Sequence, residues 1–489
     1  MTASNRRTAE PGEFTASPDA VAPRVHHRPG IVLAVIVGCQ LMIGVDTSIV
    51  TIALPQVRDG LGMSTGGLAW IQNSYMLAFG GLLLLGGRAG DVFGRRRAFT
   101  AGIVLFTAAS LLGGFATEGW WLLAARTAQG VAAAVAAPSA MALIATNFQG
   151  QARVRALSVF SAVTGAGAAA GMLAGGVLTG AGSWRWVFFV NVPVGVALAL
   201  LAPRVLTETA RRPGRSGRFG IGRSGRFDVA GAVASTGGMT ALVYALIRVG
   251  SDGWDDRPAL AAFGTAAVLL AGFVAVERRA REPVMPLWLL AGRDRAASYL
   301  TQFLLVAGMM GAFFFLTQYL QQVLGYGPLR AGLAFLPLVG MQFATVRTVP
   351  HLLPRLGARR LVVAGTALVA IGLLWLAALS PGDGYAAGLL GPFLLMGTGG
   401  GMSIMPLNAT ILASVGPEDA GAASGVAQAM LWSGASFGSA VMVTVHGAVA
   451  SGGGDVGETV DGMDAAFATG GVFAAASVLV ALLVLRVRR

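Results

Sequence analysis

Two charged side chains lie where charge is hardest to keep. Asp46 falls inside an apolar run over residues 31–54, and Arg126 inside another over 120–146. A carboxylate alone in hydrocarbon is costly, so Asp46 must be protonated, paired or facing water. Such a group can exchange its charge for a proton and couple that exchange to another event. It can equally brace neighbouring helices. Arg126 cannot shed its proton. It either holds an anionic or carbonyl group of a cavity or reaches an interface along its stem. Spacing alone leaves open whether the two side chains meet.

The rest of the chain offers little other chemistry. His26, His27, His351 and His446 are scattered without metal-ligand spacing, so no metal site is expected. Cys39 is the only cysteine, which excludes an intrachain disulfide. All 35 basic residues are arginines, and a chain without lysine has no Walker A loop. No acid pair, histidine cluster or nucleophile with a base marks an active site, so no enzyme is expected.

The elements that carry Asp46 and Arg126 are membrane spans. Of 489 residues, 55% are apolar and 12% charged, against roughly 25% charged in soluble domains. Crossing the hydrocarbon takes about 20 apolar residues. Fourteen runs qualify, from 31–54 and 67–87 to 421–448 and 465–486, which predicts an all-α polytopic membrane protein. The net charge of +13 would suit nucleic acid, but its placement points elsewhere. The arm 1–30, the tail and the loops 88–97, 147–155, 204–227, 278–297 and 351–360 hold 28 of the 35 arginines. The alternate loops hold acids such as Asp59, Glu118, Asp252 and Asp383. Arginine beside spans stays cytoplasmic. Both termini are therefore expected in the cytoplasm, with a lipid bilayer and no nucleic acid as partner. The arm 1–30, polar and with four prolines, reads as disordered.

The densest charge lies in Gly86–Phe99, where Gly87, Arg88, Gly90, Asp91, Gly94, Arg95 and Arg96 read as a tight hairpin. Its glycines supply positive φ and close approach. Its arginines set topology; Asp91 can also pair with Arg95 and face a helix N-terminus, as a cytoplasmic gate would. The stretch 351–360, HLLPRLGARR, echoes this hairpin, and Gly130 and Pro138 are echoed by Gly399 and Pro406. The repeat divides the chain into a six-helix bundle over 31–203, a basic linker with two extra spans over 204–297, and a second six-helix bundle over 298–489. Two such parallel halves around a midplane cavity make a transporter architecture. The linker's seven arginines can also touch anionic lipid.

The pattern Gly87-x-x-x-Asp91-x-x-Gly94-Arg95-Arg96 resembles the signature loop of the major facilitator superfamily, with Val92 where many members are basic. Val45 to Pro55 resembles the first-helix motif of its fourteen-span drug:proton antiporter branch. Trp184 to Gly195 and Arg226-Phe227-Asp228 are similar to further motifs of that branch, and Arg126-x-x-Gln129-Gly130 to the fourth-helix motif. The resemblance implies a major facilitator fold with fourteen transmembrane helices, and proton or substrate coupling at Asp46, Arg126 and Gln129.

In the fifth span, Gly167, Gly171, Gly175 and Gly176 bare one helix face for close packing. The stretch resembles the antiporter motif of exporters, with Met172 where that motif has proline. Polar and aromatic residues elsewhere can line a cavity: Gln40, Asn73, Tyr75, Gln302, Gln318, Asn408, Gln428 and Trp432. The later spans, as drawn, hold no acid, which favours neutral or anionic amphipathic substrates over dications.

The expected protein is a proton-coupled exporter of small lipophilic or amphipathic compounds, antibiotic or secondary metabolite. It would work by alternating access, without a cofactor and driven by the proton gradient, as a monomer in a bacterial inner membrane. A proton-coupled importer of a small metabolite is the alternative; a membrane enzyme or sensor is the remotest.

Overall fold

The computed structural model describes residues 29–208, 229–279, 285, 287–380, 382–416, 419–450 and 456–485. The arm at 1–28 and most of the basic linker, 209–228, lie outside them. Every described regular element is helical, as hydrocarbon requires, because each backbone N–H and C=O must be paired within its own span. Among the described residues, fourteen helices are long and apolar enough to cross a membrane.

The first six are α1 (Pro29–Leu61), α2 (Thr65–Phe93), α3 (Arg95–Gly114), α4 (Gly119–Asn147), α5 (Gly150–Gly180) and α6 (Trp186–Val205). Two more follow the linker, α7 (Ala230–Asp252) and α8 (Arg257–Arg279). The last six are α9 (Arg293–Val323), α10 (Pro328–Leu356), α11 (Ala358–Leu376), α12 (Tyr385–Ala413), α13 (Ala420–Val449) and α14 (Gly457–Val484).

The two sets of six pack alike. Helix α1 lies on α5, α2 on α4, and α3 on α4 and α6. Eight helices later, α9 lies on α13, α10 on α12, and α11 on α12 and α14. The sets meet along two seams related by the same repeat, α2 on α13 and α5 on α10. The inserted pair α7–α8 packs together, with α7 against both α2 and α13.

Glycine makes these contacts close. A Cβ on Gly171 would stand 2.5 Å from the Val45 carbonyl oxygen, and one on Gly175 2.9 Å from that of Ile49. In the second set, Gly434 and Gly438 press on the carbonyls of Phe303 and Ala307 with the same four-residue stagger. The expected bare face of α5 is thus real, and α1 covers it. Gly176 points the other way and meets Pro328 and Leu329 of α10.

The charged hairpin is tighter than its sequence predicts. Helix α2 runs through Gly86, Gly87 and Gly90 to Phe93, and α3 begins at Arg95. Gly94 alone makes the turn, at φ +100°, and is the only residue of the stretch with positive φ. The other glycines serve packing: Gly86 sits on the Ala134 carbonyl, and a Cβ on Gly90 would stand 3.0 Å from Ser139 Oγ. Gly357, at φ +78°, turns α10 into α11 in the same way. The end of the molecule bearing these two turns is called the hairpin end, and the opposite one the far end.

Helix α14 begins well before the apolar run that marked it. It therefore takes in Glu458, Asp461 and Asp464, and Asp464 is half-buried. The expectation of acid-free later spans is corrected accordingly, and again by Glu277, which is buried in the last turn of α8; polar turns at either end of a helix leave no trace in a hydropathy window.

Candidate functional site

Asp46 and Arg126 meet. Arg126 Nη1 donates to Asp46 Oδ2 at 2.7 Å, and the two side chains are 0% and 1% exposed. The local sequence explains how the charges come to face each other. Asp46 lies midway along α1 on the side that α4 and α6 cover, and Arg126 lies two turns into α4. Gln129, one turn beyond Arg126, binds both partners. Its Nε2 donates to Asp46 Oδ1 at 2.9 Å and to Ser110 Oγ of α3 at 2.8 Å, and its Oε1 accepts from Arg126 at 2.9 Å. Asn191 Nδ2 of α6 donates to Asp46 Oδ1 at 2.8 Å, and Arg126 Nε donates to the Ile71 carbonyl of α2 at 3.2 Å. The Asp46 carboxylate therefore accepts three side-chain hydrogen bonds from two helices. A buried charge keeps its place only when paired and hydrogen-bonded in this way.

Beyond the pair lies an aromatic seam. The Arg126 guanidinium stands over the Tyr75 ring, 4.3 Å from its centre, as a cation–π contact. Tyr75 in turn meets Phe79 and Trp432, with ring centres 5.8 and 6.4 Å away, and Phe79 and Trp432 are 4.8 Å apart. Trp432 belongs to α13, so this cluster joins the two halves. Asn73 Oδ1 accepts from Ser436 Oγ across the same seam at 2.8 Å. Tyr75 Oη, Trp432 Nε1, Asn73 Nδ2 and both amide atoms of Gln302 are buried without a protein partner. Such a surface offers rings for apolar contact and a few neutral hydrogen-bonding groups for orientation.

The cavity residues expected from sequence do not form one site. Asn73, Tyr75 and Trp432 come together at mid-membrane. Gln302 lies at the level of that seam, next to Phe303, on whose carbonyl Gly434 of α13 sits, whereas Gln318 lies about 24 Å further along α9 at 1.5 Å per residue, near its far end. Gln40 and Asn408 are half-buried, and Gln428 is exposed one turn along α13 from Trp432. At the far end the halves are tied: Gln321 Nε2 donates to the Ile52 carbonyl at 2.9 Å, and Gly332 sits against the Met172 carbonyl.

In the hairpin, Arg95 Nη2 pairs with Asp91 at 3.1 Å, so this contact stays within the turn. Glu208, a lone acid at the edge of the basic linker, supplies a second acid. Its Oε1 accepts from the Arg96 backbone N–H at 3.2 Å, capping α3, and Oε2 lies 3.5 Å from Arg96 Nε. Sequence reasoning also missed Asn191 and Ser110 as Asp46 and Gln129 partners. Replacing Glu208 by Ala should cost about 1 kcal/mol, as loss of a helix cap does. Thermal melting of the purified protein reads this, and an unchanged midpoint would remove the cap from the stability of the hairpin.

Fold and site together define a membrane transporter of two like six-helix halves, with a buried ion pair in the first. Residues 36–439 match the Major Facilitator Superfamily, and the chain belongs to that family. It is 41% identical over 424 residues to a cephamycin export protein of Amycolatopsis lactamdurans, covering 86% of each chain. It is 42% identical over 417 residues to a puromycin resistance protein of Streptomyces alboniger, covering 84% of this chain and 81% of the other. Among solved structures it is similar to a peptide transporter in complex with sulfate, with a TM-score of 0.65, 13% identity and coverage of 92% and 93%. The inward-open xylose transporter from E. coli gives a TM-score of 0.61 at 14% identity, covering 93% and 96%. The protein is a transporter and not an enzyme.

Proposed function

We propose that this protein is a proton-driven exporter of small lipophilic or amphipathic compounds, of the antibiotic or secondary-metabolite class. The observation that carries the reading is Tyr75, which touches Arg126 on one side and the Phe79–Trp432 seam on the other. A change of charge at Asp46 is thereby one side chain away from the surface that would hold an apolar substrate. Protonating Asp46 cancels the charge that Arg126, Gln129 and Asn191 converge on. The grip of α1 on α4 and α6 then loosens, and the halves rock about a central site in alternating access. The name of the cephamycin relative, an export protein, supports export as the direction, and that of the puromycin relative, a resistance protein, accords with it.

The hairpin end faces the cytoplasm in this reading, because the arginine-rich loops lie there. That places both termini inside and the protein in a bacterial inner membrane, working as a monomer with its substrate and protons as partners. Everted vesicles from a host stripped of its own pumps provide the test. With an imposed gradient, an apolar antibiotic should accumulate inside the vesicles, and a protonophore should abolish the accumulation. Gradient-dependent movement out of the vesicles, or accumulation indifferent to the protonophore, would refute the proposal.

A further inference from the structure

We propose that a groove between α3 and α6 at the hairpin end binds an anionic phospholipid. The groove, open along its length, has a volume of about 590 Å³ and is lined by Arg96, Arg97 and Pro203 at its mouth, and by Val104, Leu105 and Ala108 of α3 below. Its α3 residues follow helical three- and four-residue spacing, so the lining runs straight down one face. From Arg97 to Ala108 it extends about 16 Å at 1.5 Å per residue, close to half of a roughly 30 Å hydrocarbon core. Val104 and Leu105 are 51% and 41% exposed. A single leaflet's acyl chain has that length and that chemistry.

Charge at the mouth selects the headgroup. Arg96 is fixed in place by the carbonyls of Pro203 and Leu206, at 3.3 and 3.4 Å. Arg97 is 76% exposed, and among the described residues it pairs with Glu208 at 3.9 Å. One carboxylate thus serves two guanidiniums, while Asp91 is engaged by Arg95. The surplus positive charge sits directly over the apolar channel. A phosphate with a negative net headgroup satisfies both parts at once; a zwitterionic headgroup brings its own cation to the same arginines, and a free anion leaves the channel unfilled. Occupation also bears on the hairpin, since a lipid phosphate competes with Glu208 for Arg97. The site stands apart from the direction of transport and from Asp46.

Native mass spectrometry of the purified full-length protein tests this, with equimolar phosphatidylglycerol and phosphatidylcholine in mixed micelles. Phosphatidylglycerol should be retained severalfold over phosphatidylcholine. Arg97→Gln should bring that ratio near one, Arg97→Lys should keep it, and Ala108→Phe, which fills the channel at an exposed position, should reduce retention of both lipids. Equal retention by the unmodified protein, a preference that survives Arg97→Gln, or displacement of the lipid by inorganic phosphate would each overturn the proposal.

Discussion

Asp46→Asn should abolish gradient-driven efflux and at the same time lower stability by about 3–5 kcal/mol, the range seen when one partner of a buried ion pair is removed. The asparagine matches the shape of the carboxylate and can still accept a hydrogen bond from Asn191 or Gln129. What it cannot do is neutralise Arg126, which is 1% exposed and keeps its charge. The two effects are separable. In Asp46→Asn/Arg126→Gln, the stranded charge is gone, so much of the melting temperature should return while efflux stays absent. Such non-additivity is the signature of a direct pair. An Asp46→Asn protein that pumps at the unmodified rate in everted vesicles would move the coupling role elsewhere.

The second large effect is expected at Gly171. A single added methyl would meet the Val45 carbonyl oxygen at 2.5 Å and Ser48 Cβ at 2.9 Å. Both belong to the turn of α1 that carries Asp46, and neither can yield without moving that helix. Gly171→Ala should cost about 1–3 kcal/mol by overpacking, although alanine favours helix by roughly 1 kcal/mol. Gly171→Leu should yield little folded protein. Gly180 is the control in the same helix: nothing lies within 4 Å of a Cβ there, and Gly180→Ala should stay within about 0.5 kcal/mol. Expression level and thermal melting decide it, and equal melting of the two alanine variants would show that α1 and α5 do not need this contact.

Asp46 and Arg126 were legible in the sequence because an ionised group within an apolar run is exceptional. Their partners were not. Asn191 and Ser110 are short polar residues of a kind that spans tolerate singly, and Asn191 reaches Asp46 across 145 residues of chain. The spans themselves were readable from apolar length, and the two six-helix sets from the echo of one hairpin in the other. The hairpin was misjudged as a glycine loop, since composition cannot tell a glycine that turns, Gly94, from one that lets helices touch, Gly86. Glu208 was hidden at the edge of an arginine-rich linker, and the start of α14 by its acids. For Asn191, Ser110, Gly86 and Glu208 the missing information was a neighbour distant in sequence.

The matched glycine contacts also align the two sets residue by residue. Val45 under Gly171 corresponds to Phe303 under Gly434, and Gly130 on the Tyr75 carbonyl to Gly397 on that of Leu338, which corrects the match of Gly130 with Gly399 drawn from the sequence. On that alignment the counterparts of Asp46, Arg126 and Gln129 are Leu304, Phe393 and Met396. The scaffold was written twice, but the ion pair is kept in only one copy. The second copy's equivalent wall is oily, so its side chains can be exchanged among apolar residues without disturbing a charge. The apolar wall of the second set and the buried ion pair of the first can therefore change independently within one chain.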